Sequence, residues 1–355
     1  MSQHKWLVFL LLVVLLALAL SGVAAQDNVT LTLVTHDSFS ISEEVLTAFE
    51  EQSGITVRIL RSGDAGTMVN QAVLSAANPL GDVMYGIDNT FLTRALAAEI
   101  FGPYESALLE NVPAEFILDS DYQVTPINYG DVCINYDVSY FAENNLAVPE
   151  NLEALVEPEY EGLLVVENPA SSSPGLAFLL TTIEQFGVED ENNTYNYLDY
   201  WAELVENDVL VVDDWTDAYY GQFSASSTGT RPLVVSYASS PPAEVFFAEE
   251  MPDEAPTGSI TETGTCFRQI EFAGILNGAE NTEAAQQFID FMLGKEFQED
   301  LPLQMFVFPV NQEAELPDIF AEYAEIPDEP AYLDIESIDA HREEWITAWT
   351  EAVLR

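Results

Sequence analysis

From Val29 to Ala97 the sequence alternates three times between a short β-rich run and a longer amphipathic one. VTLTLVT reads as a strand, and HDSFSISEEVLTAFEEQSG as a loop, cap and helix ending at Gly54. ITVRIL is a second strand, RSGDAGTMVNQAVLSA a Gly-rich turn into a helix, and GDVMYGIDNTFLTRALA a strand, polar loop and helix. A βαβαβα order argues for an α/β chain with an open, mostly parallel sheet and helices on both faces. Ligands of such sheets lie beyond the carboxyl ends of the strands. The loops at those ends are His36-Asp37-Ser38-Phe39, Gly63-Asp64-Ala65-Gly66-Thr67 and Asp88-Asn89-Thr90, all polar. Each alone reads as a helix cap; the three in register mark a candidate binding edge.

A second junction of this kind lies at Leu163 to Ile183, LLVVENPASSSPGLAFLLTTI. A short apolar run passes through Pro, three serines, Pro174 and Gly175 into a long apolar run, the order expected for strand, loop and capped helix. Ser172 or Ser173 is the expected N-cap and Pro174 the first helical residue. Such a helix start offers free N–H groups, the positive end of a dipole and hydroxyls, which suits an anionic group. The plainer reading is that the serines only cap the helix.

His4 and Lys5 precede an unbroken apolar run from Trp6 to Leu20, followed by SGVAAQ. This predicts a secretory signal peptide over residues 1–25, cleaved after Ala25; a retained anchor is the alternative, although the run is short for a span. Cleavage leaves 330 of the 355 residues, enough for two lobes each with its own core. With Lys5 removed, 61 acidic residues stand against 8 basic ones, a formal charge of −53. Nucleic acid and anionic membrane surfaces are thereby poor partners. The surplus is scattered along the chain; it suits a salty or acidic exterior and could steer a cationic ligand, but names no function.

Cys133 and Cys266 are the only cysteines, each in a strand-like segment (VCINY and CFRQIEFAGI) of a chain read as exported. One disulfide is expected, with two buried thiols as the alternative. Val124 to Asp137 reads as a first crossing between lobes, and the strand from Cys266 to Ile275 as a second. The expected division is a first lobe of residues 26–126 plus 273–355, completed by the C-terminal helices, and a second lobe of residues 127–272 including the crossings.

Residues for catalysis are scarce. After cleavage two histidines remain, His36 and His341, in no zinc, triad or phosphotransfer motif. Asp213 and Asp214 are neighbours on a strand and point to opposite faces. Tyr219-Tyr220 is similar to the paired tyrosines of ferric-ion receptors, with core packing as the plainer reading. An exported two-lobed chain with polar loops and aromatics around a cleft reads as a solute receptor rather than an enzyme.

Several motifs in order carry a more specific resemblance: Thr35 to Phe39, GDVMYGIDNTF (81 to 91), NYGDVCINYD (128 to 137), NPASSSPGL (168 to 176), DDWTDAY (213 to 219), VVSYASSP (234 to 241) and the terminal helix with Trp345 and Trp349. Over almost the whole chain this resembles the periplasmic thiamine-binding family, the substrate-binding subunits of thiamine ABC importers. The resemblance implies a two-lobed type II periplasmic binding protein fold and an extracytoplasmic monomer. It implies no cofactor, thiamine or its phosphates as ligand, and a membrane permease as partner. It carries ligand-binding roles onto Asp37 and Ser38, Asp64 and Thr67, Asp88 and Asn89, Ser172 for a phosphate or hydroxyethyl arm, and Trp215 and Tyr237 as aromatic walls. Two departures reduce the expected ring stacking. The family's second tyrosine after SYxxSP falls near Ala243, and its C-terminal aromatic pair appears as Phe306 and Phe308. Carboxylates and aromatic faces suit a thiazolium cation and an aminopyrimidine. A polyamine or ferric-ion receptor of the same fold, or an exported thiamine-pyrimidine enzyme, are the alternatives; the enzyme lacks a ready nucleophile, Lys295 being the only lysine left after cleavage.

Overall fold

The structure is a computed structural model describing residues 29–189, 193–248, 250–252 and 254–355. The expected signal peptide, 1–25, lies outside the described residues. Among the described residues no helix is long and apolar enough to cross a membrane.

Among the described residues eleven strands form one continuous sheet: β1 (Val29–Thr35), β2 (Ile55–Arg61), β3 (Val83–Asp88), β4 (Phe101–Gly102), β5 (Thr125–Asp137), β6 (Leu164–Glu167), β7 (Leu210–Val212), β8 (Leu233–Tyr237), β9 (Thr257–Ile260), β10 (Phe267–Leu276) and β11 (Phe308–Pro309). The helices are α1 (Glu43–Ser53), α2 (Ala65–Leu74), α3 (Leu92–Ala97), α4 (Val138–Asn144), α5 (Ser173–Phe186), α6 (Tyr197–Glu206), α7 (Trp215–Asp217), α8 (Pro241–Phe246), α9 (Thr282–Leu293), α10 (Lys295–Gln304), α11 (Asp318–Tyr323) and α12 (Ile335–Val353).

The main strand order is β2-β1-β3-β10-β5-β8-β6-β7. Parallel pairing holds at both ends, where β1 joins β2 and β3 and where β6 joins β7 and β8. The two ends are joined by long antiparallel strands, β5 and β10, which pair with each other. The first part of β5 meets β11 and β10, and its last part meets β8 and β9. β5 and β10 thereby join the two parallel ends into one mixed sheet. β3 is buried along its whole length, as a strand covered on both faces must be.

Local signals explain most element ends. Ser42 caps α1 by accepting from the Val45 N–H, and Gly54 stops it at φ 72°, a left-handed conformation glycine adopts freely. Asn196 and Asp199 form a reciprocal capping box on α6. Helix α5 begins at Ser173 with Ser172 as N-cap, and its residues from Ser173 to Ile183 are all buried, so it runs through the interior.

The C-terminal helices do not all stay with the first strands. α9 and α10 pack on β1, β5 and β10 or β11, whereas α11 lies against α8, and α12 against α6 and, to a lesser extent, α3. Trp349 of α12 meets Trp201 of α6 edge to face at 5.4 Å, and Arg342 donates to the Thr90 carbonyl at 3.2 Å. Cys133 and Cys266 are joined, with Cα atoms 4.3 Å apart. Register explains the bond: Phe267 stands opposite Val132, which brings the preceding and following residues together on adjacent antiparallel strands.

Candidate functional site

A cleft of about 320 Å³ opens where the carboxyl ends of β1, β2, β6, β7 and β8 converge. That is at the lower end of the roughly 300–1,000 Å³ usual for small-ligand sites. One wall carries His36, Asp37, Ser38 and Asp64; the other carries Ser173, Pro174, Trp215, Tyr219 and Tyr220. Tyr237 and Glu271 line it from the central strands, and Phe247 and Phe306 are also part of its lining.

The aromatic wall is ordered by its own contacts. Trp215 stacks on Tyr219 at 5.1 Å with 20° between planes, and meets Tyr220 edge to face at 5.5 Å. Its indole N–H donates to Ser236 Oγ at 3.0 Å, which orients the ring against the end of β8. The Tyr237 ring lies 6.5 Å from the indole, and its hydroxyl donates to Gln269 Oε1 at 2.6 Å. Gly130 makes room for that ring, since a Cβ there would stand 2.9 Å from Tyr237 Cδ1.

The two walls touch. Asp64, N-cap of α2, accepts from Ala65 N at 2.6 Å and from Trp215 N, on the opposite wall, at 3.1 Å. Thr67 N donates to the Ser171 carbonyl at 3.2 Å, and a Cβ on Gly66 would lie 2.8 Å from that carbonyl oxygen, so only glycine permits this approach.

At the floor His36 Nε2 stands 3.3 Å from Glu271 Oε1. Tyr85 Oη and Asn128 Nδ2 donate to Glu271 Oε2 at 3.0 and 2.9 Å, and Asn128 also donates to the Tyr85 hydroxyl. Burial alone would lower the imidazole pKa, but the charge and hydrogen bond of Glu271, with Asp64 and Asp37 beyond, raise it. Burial alone would raise Glu271, but the His36 charge and three hydrogen bonds lower it. Other carboxyls nearby are pushed up by burial: Asp64 is raised against its two N–H donors and the charge of His36, Asp88 reaches about 6, and Glu167 goes well above its ordinary value.

Of the residues singled out from the sequence, Asp37, Ser38, Asp64, Trp215 and Tyr237 line the cleft. Thr67, Asp88, Asn89 and Ser172 do not. Thr67 meets the opposite wall through its backbone. Asp88 is fully buried, accepting from Thr90 N, Thr90 Oγ1 and Gln269 Nε2. Asn89 clamps β10, accepting from Ile270 N at 2.9 Å and donating to the Arg268 carbonyl at 3.0 Å. Ser172 is buried with its hydroxyl making no hydrogen bond, and it is the next residue, Ser173, that reaches the cleft. Ala243 and Phe306 do line the cleft, but Phe308 turns away and stacks on Tyr129 at 5.2 Å. Phe306 has φ 53°, a left-handed conformation uncommon outside glycine, and its ring lies 5.8 Å from that of Phe247.

Sequence reasoning did not single out Glu271, and it named His36 within its loop and as a histidine in no catalytic motif, without a binding role. The available signal was a lone acid in the apolar run of β10, since a buried carboxylate must find a partner. The Tyr219 hydroxyl donates to Glu244 at 3.0 Å and the residue is buried, so the two tyrosines serve the wall rather than projecting together. Among the described residues no group of three His, Cys, Asp or Glu side chains could hold a metal ion.

A cleft at the carboxyl ends of the parallel strands, with contacts reaching across it between its two walls, is the architecture of a solute receptor. Residues 78–326 match the bacterial extracellular solute-binding protein family, and the chain belongs to that family. Within it, the chain is 28% identical over 345 residues to the thiamine-binding periplasmic protein of Salmonella typhimurium, covering 95% of this chain and 98% of that one. The thiamine-binding periplasmic protein of Brucella suis is 27% identical over 344 residues, covering 94% of each chain. A solved periplasmic thiamin binding protein superposes with a TM-score of 0.80 at 26% identity, over 94% of this chain and 98% of that chain.

Proposed function

We propose that this receptor captures thiamine outside the cytoplasm and delivers it to the membrane permease of an ABC importer. The observation that carries the reading is the pairing of a fixed aromatic wall, Trp215 with Tyr219, Tyr220 and Tyr237, and a carboxylate wall, Asp37, Asp64 and Glu271, across a cleft of about 320 Å³. A planar cation with a second heteroaromatic ring uses both, through cation–π attraction and charge-assisted hydrogen bonds. The near full-length similarity to thiamine-binding periplasmic proteins supports the same ligand.

In this reading Asp37, Ser38, Asp64, Trp215 and Tyr237 touch the ligand, joined by His36, Glu271 and Phe306. Thr67, Asp88, Asn89 and Ser172 hold the walls from behind. The lobes are residues 26–126 with 273–355, and 127–272, with α11 and α12 laid back over the second lobe, and the receptor acts as a monomer. Isothermal calorimetry against thiamine, spermidine and ferric ion tests the assignment. One-to-one heat with thiamine is expected; binding of spermidine or iron without any response to thiamine overturns it.

A further inference from the structure

Two phenylalanines side by side at the end of α8 are left largely in water, Phe246 being 44% and Phe247 68% exposed. A single exposed apolar side chain is ordinary, but adjoining aromatic rings beside a binding cleft form a patch that calls for a reason. Their partner is Phe306, on the turn between α10 and β11. The Phe306 ring lies 5.8 Å from that of Phe247, edge to face, and 6.2 Å from that of Phe246; the two neighbours are 5.1 Å apart. At such separations aromatic rings attract one another.

The three rings come from opposite walls. Gln304, the last residue of α10, accepts from Ser40 Oγ at 3.1 Å, and Asp300 accepts from Ser42 N at 2.8 Å. The chain leading to Phe306 is thereby fastened to the wall of His36, Asp37 and Ser38. Glu244 of α8 accepts from the Tyr219 hydroxyl at 3.0 Å, which fastens Phe246 and Phe247 to the wall of Trp215. Phe306 presents its ring from a φ of 53°, where glycine is the unstrained choice. A strained backbone kept beside a cleft points to a role for the side chain it carries. Phe247 and Phe306 line the cleft, whereas Phe246 stands behind them and does not.

We propose that Phe246, Phe247 and Phe306 form an aromatic latch that joins the two walls and sets how slowly the ligand leaves. The proposal rests on the receptor reading above and takes its ligand, thiamine, as the probe. Opening the cleft separates Phe306 from the other two rings and returns their faces to water. A contact made only in the closed form slows opening, so it acts on dissociation more than on association.

Stopped-flow fluorescence with thiamine tests this on the wild type, Phe246→Ala, Phe306→Ala and the double variant. Phe246→Ala removes no part of the cleft lining, yet its dissociation rate is expected to rise about two- to tenfold, the worth of an aromatic pair, with association nearly unchanged. In the double variant the two effects should not multiply, because either substitution already breaks the contact. Phe247→Ala, the most exposed of the three positions, repeats the measurement should another variant fold poorly. A dissociation rate unchanged in Phe246→Ala, or effects that multiply in the double variant, overturns the latch and leaves the thiamine reading standing. A wild type that binds no thiamine ends that reading instead. The latch is then decided by small-angle scattering of the ligand-free proteins: a larger radius of gyration in Phe247→Ala than in the wild type supports it, and equal radii overturn it.

Discussion

His36 Nε2 and Glu271 Oε1 meet at 3.3 Å on the floor of the cleft, one at the end of β1 and the other on the crossing strand β10. Each holds the other ionised, so the imidazole pKa is raised and the carboxyl pKa lowered. The raised histidine contributes stability that is full below its unfolded value near 6.5 and is lost as pH climbs through its folded pKa. The lowered glutamate contributes stability present above its unfolded value near 4.5 and lost as pH falls through its folded pKa. The pair is therefore most stabilising from about 4.5 to 6.5, the interval between those two values. Thermal melts of the wild type should show a decline in Tm above that interval that His36→Gln lacks; parallel profiles for the two proteins would contradict the pairing.

Trp215 is the centre of the aromatic wall and donates from its backbone to Asp64 across the cleft. Trp215→Ala should remove a stacking and cation–π contact of about 1–2 kcal/mol, roughly a five- to thirtyfold loss of thiamine affinity. Trp215→Phe should fall in between. Titration by calorimetry decides it, and an unchanged Kd for the alanine variant would remove Trp215 from the site.

Asn89 behaves differently, because both ends of its amide are spent on the backbone of β10. Asn89→Ala should strand two backbone groups and destabilise by about 1–3 kcal/mol in urea unfolding. The folded variant should keep its thiamine Kd within about twofold. A large affinity loss with unchanged stability would place Asn89 at the ligand instead.

The Cys133–Cys266 bond closes a loop of 133 residues between two central strands. Loop-closure entropy alone gives about 5 kcal/mol for that length, and strain or residual structure reduces the measured value. The double variant Cys133→Ala with Cys266→Ala should unfold at distinctly lower urea concentration with little change in slope. Midpoints within error of each other would show that the bond adds nothing.

Much of the architecture was legible because it is written locally. Strand and helix periodicity, the caps at Ser42 and Gly54, the glycine-rich turn before α2 and the serine loop before α5 act over a few residues, and the structure repeats them. The two cysteines in strand-like segments also anticipated a bond that the antiparallel register of β5 and β10 then made possible. What stayed hidden depends on residues brought together from far apart. Asp37, just past β1, and Asp88, the last residue of β3, look alike in sequence, yet Asp88 is drawn inward to Thr90 and Gln269 while Asp37 stays at the rim. Phe306 and Phe308 are two residues apart, but one faces the cleft and the other the Tyr129 stack. Glu271 became the floor only when the β10 register set it against His36, Tyr85 and Asn128, positions up to 235 residues away in sequence. Period and capping belong to the chain itself, whereas the direction of a polar side chain at a strand end is settled by which partner can relieve its burial, and that partner exists only in the folded sheet.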